Sequence, residues 1–252
     1  MKNLPSKLSI SPLLEVVFEI RFDSDFPFSV IAPGVLFGKT LSEIKTISLP
    51  AQQIPKEIRE KDPNFKYAPL LKFEKEDLFF FMSDHSFCIG TQNTYKGWKV
   101  FRTLIIESLK KLGESHLLNG VNRFSLKYVN LIDGTFEKEL KNIVRGHLQL
   151  GSVNLEETNL QIRSEVKQAE TVFSNLCIFN PARADSLPSG EAKFGCVIEI
   201  DTIQKSSMED FVYKYKTDSV LYLDTLHEYN KKLFFSILNE DLIERLGPSY
   251  EH

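Results

Sequence analysis

His227 has the best claim to proton chemistry, because Asp224 precedes it by three residues and Lys231 follows it by four, separations that share one helix face. Asp224 could then orient the imidazole. A general base also needs a nucleophile or substrate within reach, and the sequence shows neither beside His227. The ordinary alternative is a histidine that makes structural hydrogen bonds. Asp84-His85 is a second acid–histidine pair, placed in a connection between strands. No two histidines stand four apart, and no Gly-x-Ser-x-Gly elbow, Walker loop or dinucleotide glycine fingerprint occurs. Cys88, Cys177 and Cys196 are too widely spaced for a zinc site and sit in apolar runs, as reduced, buried thiols do. No metal and no cofactor is expected.

Charge on strand faces is the second kind of candidate. Glu15, Glu19 and Arg21 alternate with Val16, Phe18, Ile20 and Phe22, and Arg123, Ser125 and Lys127 alternate with Phe124, Leu126 and Tyr128. If those two strands are neighbours, their outward charges form either a partner-binding surface or cross-strand ion pairs worth about 0.2–1 kcal/mol each. Arg163 and Lys167, read as opposite Glu199 and Asp201, repeat the arrangement. Phe79-Phe80-Phe81 and Trp98 could stack bases on an open sheet, but no basic run interleaves with them. Core packing is their expected role.

The elements that must position these residues follow from periodicity. Period-two alternation predicts strands over 14–22, 121–132, 160–167 and 194–201, and apolar runs predict them over 70–73, 78–82, 87–90 and 172–179. Helices are expected from Ala32-Pro33-Gly34 through Ile44, from Trp98 to Leu112, over 136–148 and over 208–238 with a break near 216–218, with a last turn after Asn239. The Trp98 helix should bury Trp98, Phe101, Ile105, Ser108 and Leu112. Pro50, Pro55, Pro63 and Pro69 make 48–69 a loop with at most one helical turn at 56–60. The strand at 121–132 is the pivot. Residues 12–132 then match a ferredoxin-like βαββαβ unit, and 121–247 form a looser β-α-β-β-β-α unit sharing the pivot strand. The expected fold is α+β in two layers, an antiparallel-rich sheet with helices on one face, as a single compact domain over 1–252 with a tail at 1–11.

Composition narrows the class. A chain of 252 residues with 42% hydrophobic content can bury a core without disulfides or metals. The net charge of −3 and the lack of a basic block disfavour general attraction to nucleic acid or anionic membrane. No apolar run approaches the roughly 18 residues of a membrane span or the core of a signal peptide, so a cytoplasmic location is expected.

Four segments carry a resemblance: the opening at Ser11-Pro12-Leu13-Leu14-Glu15-Val16-Val17-Phe18-Glu19-Ile20-Arg21-Phe22, Tyr95-Lys96-Gly97-Trp98-Lys99-Val100-Phe101, Arg123-Phe124-Ser125-Leu126-Lys127-Tyr128-Val129-Asn130, and His227 with Phe234 and Leu238. In that order they resemble a sporadically distributed, uncharacterised prokaryotic family of hypothetical proteins of about this length. The resemblance implies a fold and a prokaryotic origin but no chemistry, and the family's scattered occurrence suggests a defence-associated setting. The leading expectation is therefore a non-enzymatic accessory protein that holds a protein partner, or another copy of itself, through the exposed sheet face or the 48–69 loop. The alternatives are a nucleic-acid-binding component of a bacterial defence system and a hydrolase or transferase centred on His227.

Overall fold

The computed structural model describes residues 4–92, 94–135, 137, 139–146, 149–154, 161–167, 173–184, 193–205 and 208–250. In chain order the elements are β1 (Lys7–Leu8), β2 (Leu13–Asp23), α1 (Phe28–Phe37), β3 (Lys45–Ser48), α2 (Lys56–Lys61), α3 (Pro63–Lys66), β4 (Leu71–Lys75), β5 (Leu78–Met82), β6 (Ser86–Gln92) and α4 (Trp98–Glu114). There follow β7 (Asn119–Asp133), α5 (Leu140–Ile143), β8 (Gln149–Leu150), β9 (Val153–Asn154), β10 (Ile162–Lys167), β11 (Phe173–Ala184), β12 (Lys193–Lys205), α6 (Met208–Ile237), α7 (Glu240–Arg245) and β13 (Pro248–Ser249). The architecture is α+β, with antiparallel strand pairs and helices packed against the sheet. By packing, the chain falls into a central unit, Val16–Leu126 with Ile203–Thr225, and a terminal unit, Met1–Glu15, Lys127–Thr202 and Leu226–His252.

In the central unit the strand order is β7-β2-β6-β5-β4-β3. The alternation in β2 is realised with Val16, Phe18, Ile20 and Phe22 fully buried. Phe28 of α1 packs edge-on against Phe22 at 4.6 Å, and Phe37 meets Phe73 at 5.4 Å and Phe80 at 5.1 Å, so α1 lies on that side of the sheet. Burial of side chains of this size is worth about 1.5–3 kcal/mol each. α1 begins earlier than expected and keeps Pro33 inside it; it stops at Gly38, whose φ of 54° suits a residue without Cβ. Residues 38–43 form a 3-10 turn rather than more helix. α4 buries Phe101, Ile105, Leu109 and Leu112, and Leu109 takes the place the sequence assigned to Ser108.

The stretch between β3 and β4 corrects the loop expectation. It contains a 3-10 turn at Pro50–Gln53 and the short helices α2 and α3. Its prolines start helices instead of preventing them: Pro55 is the N-cap of α2, and Pro63 opens α3 behind Asp62, whose side chain accepts from the Asn64 amide at 2.9 Å.

In the terminal unit the order is β10-β11-β12-β7. Ile132, Ile143, Ile198, Ile200, Phe234, Leu238, Leu242 and Leu246 form its core. The helix expected over 136–148 is reduced to Leu140–Ile143, because Val144 bridges Leu238 and the Arg145 amide donates to the Ile237 carbonyl at 2.7 Å. Positions 136, 138, 147 and 148 of that expectation lie outside the described residues, as do positions 160 and 172 of the expected strands. β11 itself continues to Ala184, past the expected strand end at 179. α6 runs without the anticipated break at 216–218. Within the expected tail, Lys7 and Leu8 pair antiparallel with Ser249 and Pro248. Buried Asn230 is satisfied by donating to the Ile200 carbonyl at 2.9 Å and Thr202 Oγ1 at 3.0 Å.

Candidate functional site

The central unit's sheet has a second face, opposite the one that receives α1. Phe22, Phe73 and Phe80 point to α1, so the alternating residues Glu19, Arg21, Lys72, Glu74, Phe79 and Phe81 point away from it. On that face Arg21 Nε donates to Glu19 Oε1 at 2.9 Å, and Arg123 Nη1 stands 3.6 Å from Glu19 Oε2. Farther along, Lys45 Nζ at 2.7 Å and Lys72 Nζ at 2.6 Å take the two oxygens of Glu74. Hydrogen bonds from Lys45 and then Lys72 hold the Glu74 carboxyl below its ordinary value. Lys72 also lies 5.7 Å from the Phe79 ring centre and 5.8 Å from that of Phe81. Phe79 covers Gly90, where a Cβ would meet ring carbons at 2.1–2.8 Å. Side-chain exposures of 29% for Arg21, 17% for Arg123 and 23% for Lys72 leave these cations partly wet.

Next to this face the β5–β6 connection forms a polar cluster. Asp84 accepts from Ser29 Oγ of α1 at 2.7 Å and from Arg59 Nη2 of α2 at 3.2 Å. His85 Nε2 meets the Glu60 carboxylate at 2.9 and 3.0 Å, while its Nδ1 is buried without a hydrogen-bond partner. Ser83 Oγ accepts from the His85 amide at 3.0 Å and bonds Ser86 Oγ at 2.8 Å. Asp84-His85 was legible as a dipeptide. Glu60 and Arg59 were missed, although they fall in the one helical turn expected at 56–60, because the sequence names no partner for them.

The other sequence candidates separate. Asp224 accepts from Trp98 Nε1 at 2.5 Å and from Arg102 Nη1 at 2.5 and 2.6 Å in the central unit. His227 belongs to the terminal unit, where Nδ1 bonds the Tyr128 hydroxyl at 2.9 Å. Asp224 thus ties α4 to α6. Glu19, Arg21 and Arg123 do come together as the alternation anticipated, but Ser125 is 3% exposed and so does not lie on a wet surface. Glu15 is half-buried in the terminal unit, where Lys127 Nζ stands 3.9 Å from Glu199. Arg163 and Lys167 do not face Glu199 and Asp201, because β11 lies between β10 and β12. Arg163 is exposed, whereas the side chains of Lys167 and Cys177 lie outside the described residues. Burial pushes the Cys196 thiol up to about 11.

Among the described residues no group of three or more His, Cys, Asp and Glu is placed to hold a metal ion, and no helix is long and apolar enough to cross a membrane. No protein-family model matches the chain, and no curated protein matches it.

Proposed function

We propose that this protein is a non-enzymatic interaction protein whose central unit binds an acidic segment of a protein partner on the sheet face carrying Arg21 and Arg123. The observation that carries this reading is the sharing of carboxylates: Glu19 faces both Arg21 and Arg123, and Glu74 faces both Lys45 and Lys72. Incoming carboxylates would compete with Glu19 and Glu74 for these shared cations, and planar guanidinium groups suit them in bidentate fashion. The central unit is read as ferredoxin-like with two added edge strands. The order β7-β2-β6-β5, with α1 after the first strand and α4 before the last, supports that reading.

A cation–aromatic neighbour on the same face, Lys72 with the half-buried Phe81, favours single-stranded nucleic acid as a second reading. One experiment separates the two. Fluorescence anisotropy of a labelled oligoglutamate at low salt is compared with that of an oligonucleotide of equal charge, for the wild type and for Arg21→Glu and Arg123→Glu. Binding of the peptide that weakens about tenfold in either variant agrees with loss of a charge-assisted contact of roughly 1.4 kcal/mol. Tighter binding of the oligonucleotide transfers the face to the second reading, and binding of neither probe rejects the face as an acidic-ligand site.

A further inference from the structure

Residues 49–69 contain no fully buried side chain, although they carry a 3-10 turn and two helices. A segment that buries so little is held by its polar contacts: the Leu49 amide donates to the Leu70 carbonyl at 2.9 Å, the Tyr67 carbonyl accepts from Ser86 Oγ at 3.1 Å, and two adjacent residues of α2 supply charged contacts. Arg59 reaches Asp84 at 3.2 Å, and Glu60 reaches His85 at 2.9 Å. The far end of the segment lies over the sheet face: the Tyr67 ring centre is 4.5 Å from the Arg21 guanidinium carbon, and Lys66 Nζ is 3.4 Å from Asp23. We infer that residues 49–69 are a latched strap, fastened by Arg59–Asp84 and Glu60–His85, that covers Arg21 and must lift for Arg21 to take an acidic ligand. The identity of the ligand rests on the function proposed above; the latch does not.

His85 gives the latch its bias. Closure leaves Nδ1 buried and unpaired, so the closed state desolvates a polar atom that water would satisfy once the strap lifts. The Arg59–Asp84 pair opposes this: both side chains are nearly buried, at 13% and 11% exposure, and Arg59 Nη1 also donates to the Ile54 carbonyl at 2.7 Å. Closed and open states are then separated by a handful of polar contacts rather than by an apolar core. Such a segment opens locally without unfolding the sheet.

The test uses the full chain with Arg59→Ala/Glu60→Ala, positions of α2 where alanine leaves helix propensity intact. Hydrogen exchange read by mass spectrometry should accelerate roughly tenfold across 49–69 while β5 and β6 keep their protection. Phenylglyoxal labelling of Arg21, read at the peptide level, should rise in parallel. Unchanged exchange in 49–69, or acceleration shared equally by β5 and β6, overturns the latch. Faster strap exchange with unchanged Arg21 labelling overturns the cover. Oligoglutamate binding is then compared between the two proteins. Tighter binding by the latch variant completes the inference, and equal binding denies that the strap gates the face. If both latch readouts respond but neither protein binds the peptide, the latch stands and the acidic-partner reading is the part that fails.

Discussion

Replacing Asp224 by alanine removes the acceptor shared by the Trp98 indole and the Arg102 guanidinium, which lie at 2.5 Å and 2.5–2.6 Å from its oxygens. Hydrogen bonds to a charged partner are worth about 1.5–3 kcal/mol each when buried. Here the side chains are 34% exposed at Asp224 and 21% at Arg102, so water re-solvates much of what is lost. The combined cost should fall to roughly 1–2 kcal/mol. With a urea dependence of about 3 kcal/mol per molar, the unfolding midpoint moves down by about 0.5 M. Trp98 is the sole tryptophan, so its emission reports the same contact directly. Asp224→Asn, which keeps one acceptor oxygen but loses the charge, should lie between the alanine variant and the wild type. The reasoning is refuted if the alanine variant keeps its midpoint and its emission. It is refuted more sharply if the perturbation appears instead at His227, whose Nδ1 bond to Tyr128 should be untouched in the imidazole NMR spectrum.

Other perturbations probe the packing elsewhere. At Gly195 a Cβ would stand 2.2 Å from the Ile132 carbonyl oxygen and 3.0 Å from the Gly134 nitrogen, so Gly195→Ala must push β12 away from β7 backbone. A destabilisation of about 1–3 kcal/mol is expected from urea unfolding, and a wild-type midpoint would contradict the close approach. Cys196, its thiol raised to about 11 by burial, should react slowly with iodoacetamide. Its thiolate fraction at pH 8 is on the order of one part in a thousand, so labelling should rise nearly tenfold per pH unit toward pH 10. Labelling at pH 8 as fast as that of an unburied thiol would contradict the burial.

The strands were legible because β2 and β7 place aromatic and aliphatic side chains at every second position against one apolar layer. Val16, Phe18, Ile20 and Phe22 are all fully buried, and Phe124, Leu126 and Tyr128 nearly so. The helix expected over 136–148 had sound local periodicity, but local periodicity is not the only claim on a backbone. Arg145 and Val144 pair with Ile237 and Leu238, residues more than ninety positions away, and that pairing ends α5 at Ile143. The prolines at 50, 55 and 63 misled for a different reason. A proline bars the helix interior but suits the first turn, and which applies depends on whether the following residues have a surface to rest on.

The charged face shows where sequence reasoning stops in physical terms. Alternation tells that Glu19, Arg21 and Arg123 leave the apolar layer, and it tells nothing about which carboxylate each cation meets. That depends on β7 lying beside β2, a pairing across about a hundred residues fixed by the whole strand order. The same limit hid the latch. Arg59 and Glu60 are adjacent charges on an exposed helix, which reads as solvated surface until the β5–β6 connection brings Asp84 and His85 beneath them. A catalytic group often announces itself by residue type and a short motif. A charged face of shared carboxylates with a strap over an arginine is written only in contacts between distant segments, so strap exchange and Arg21 labelling can reveal it where the sequence could not.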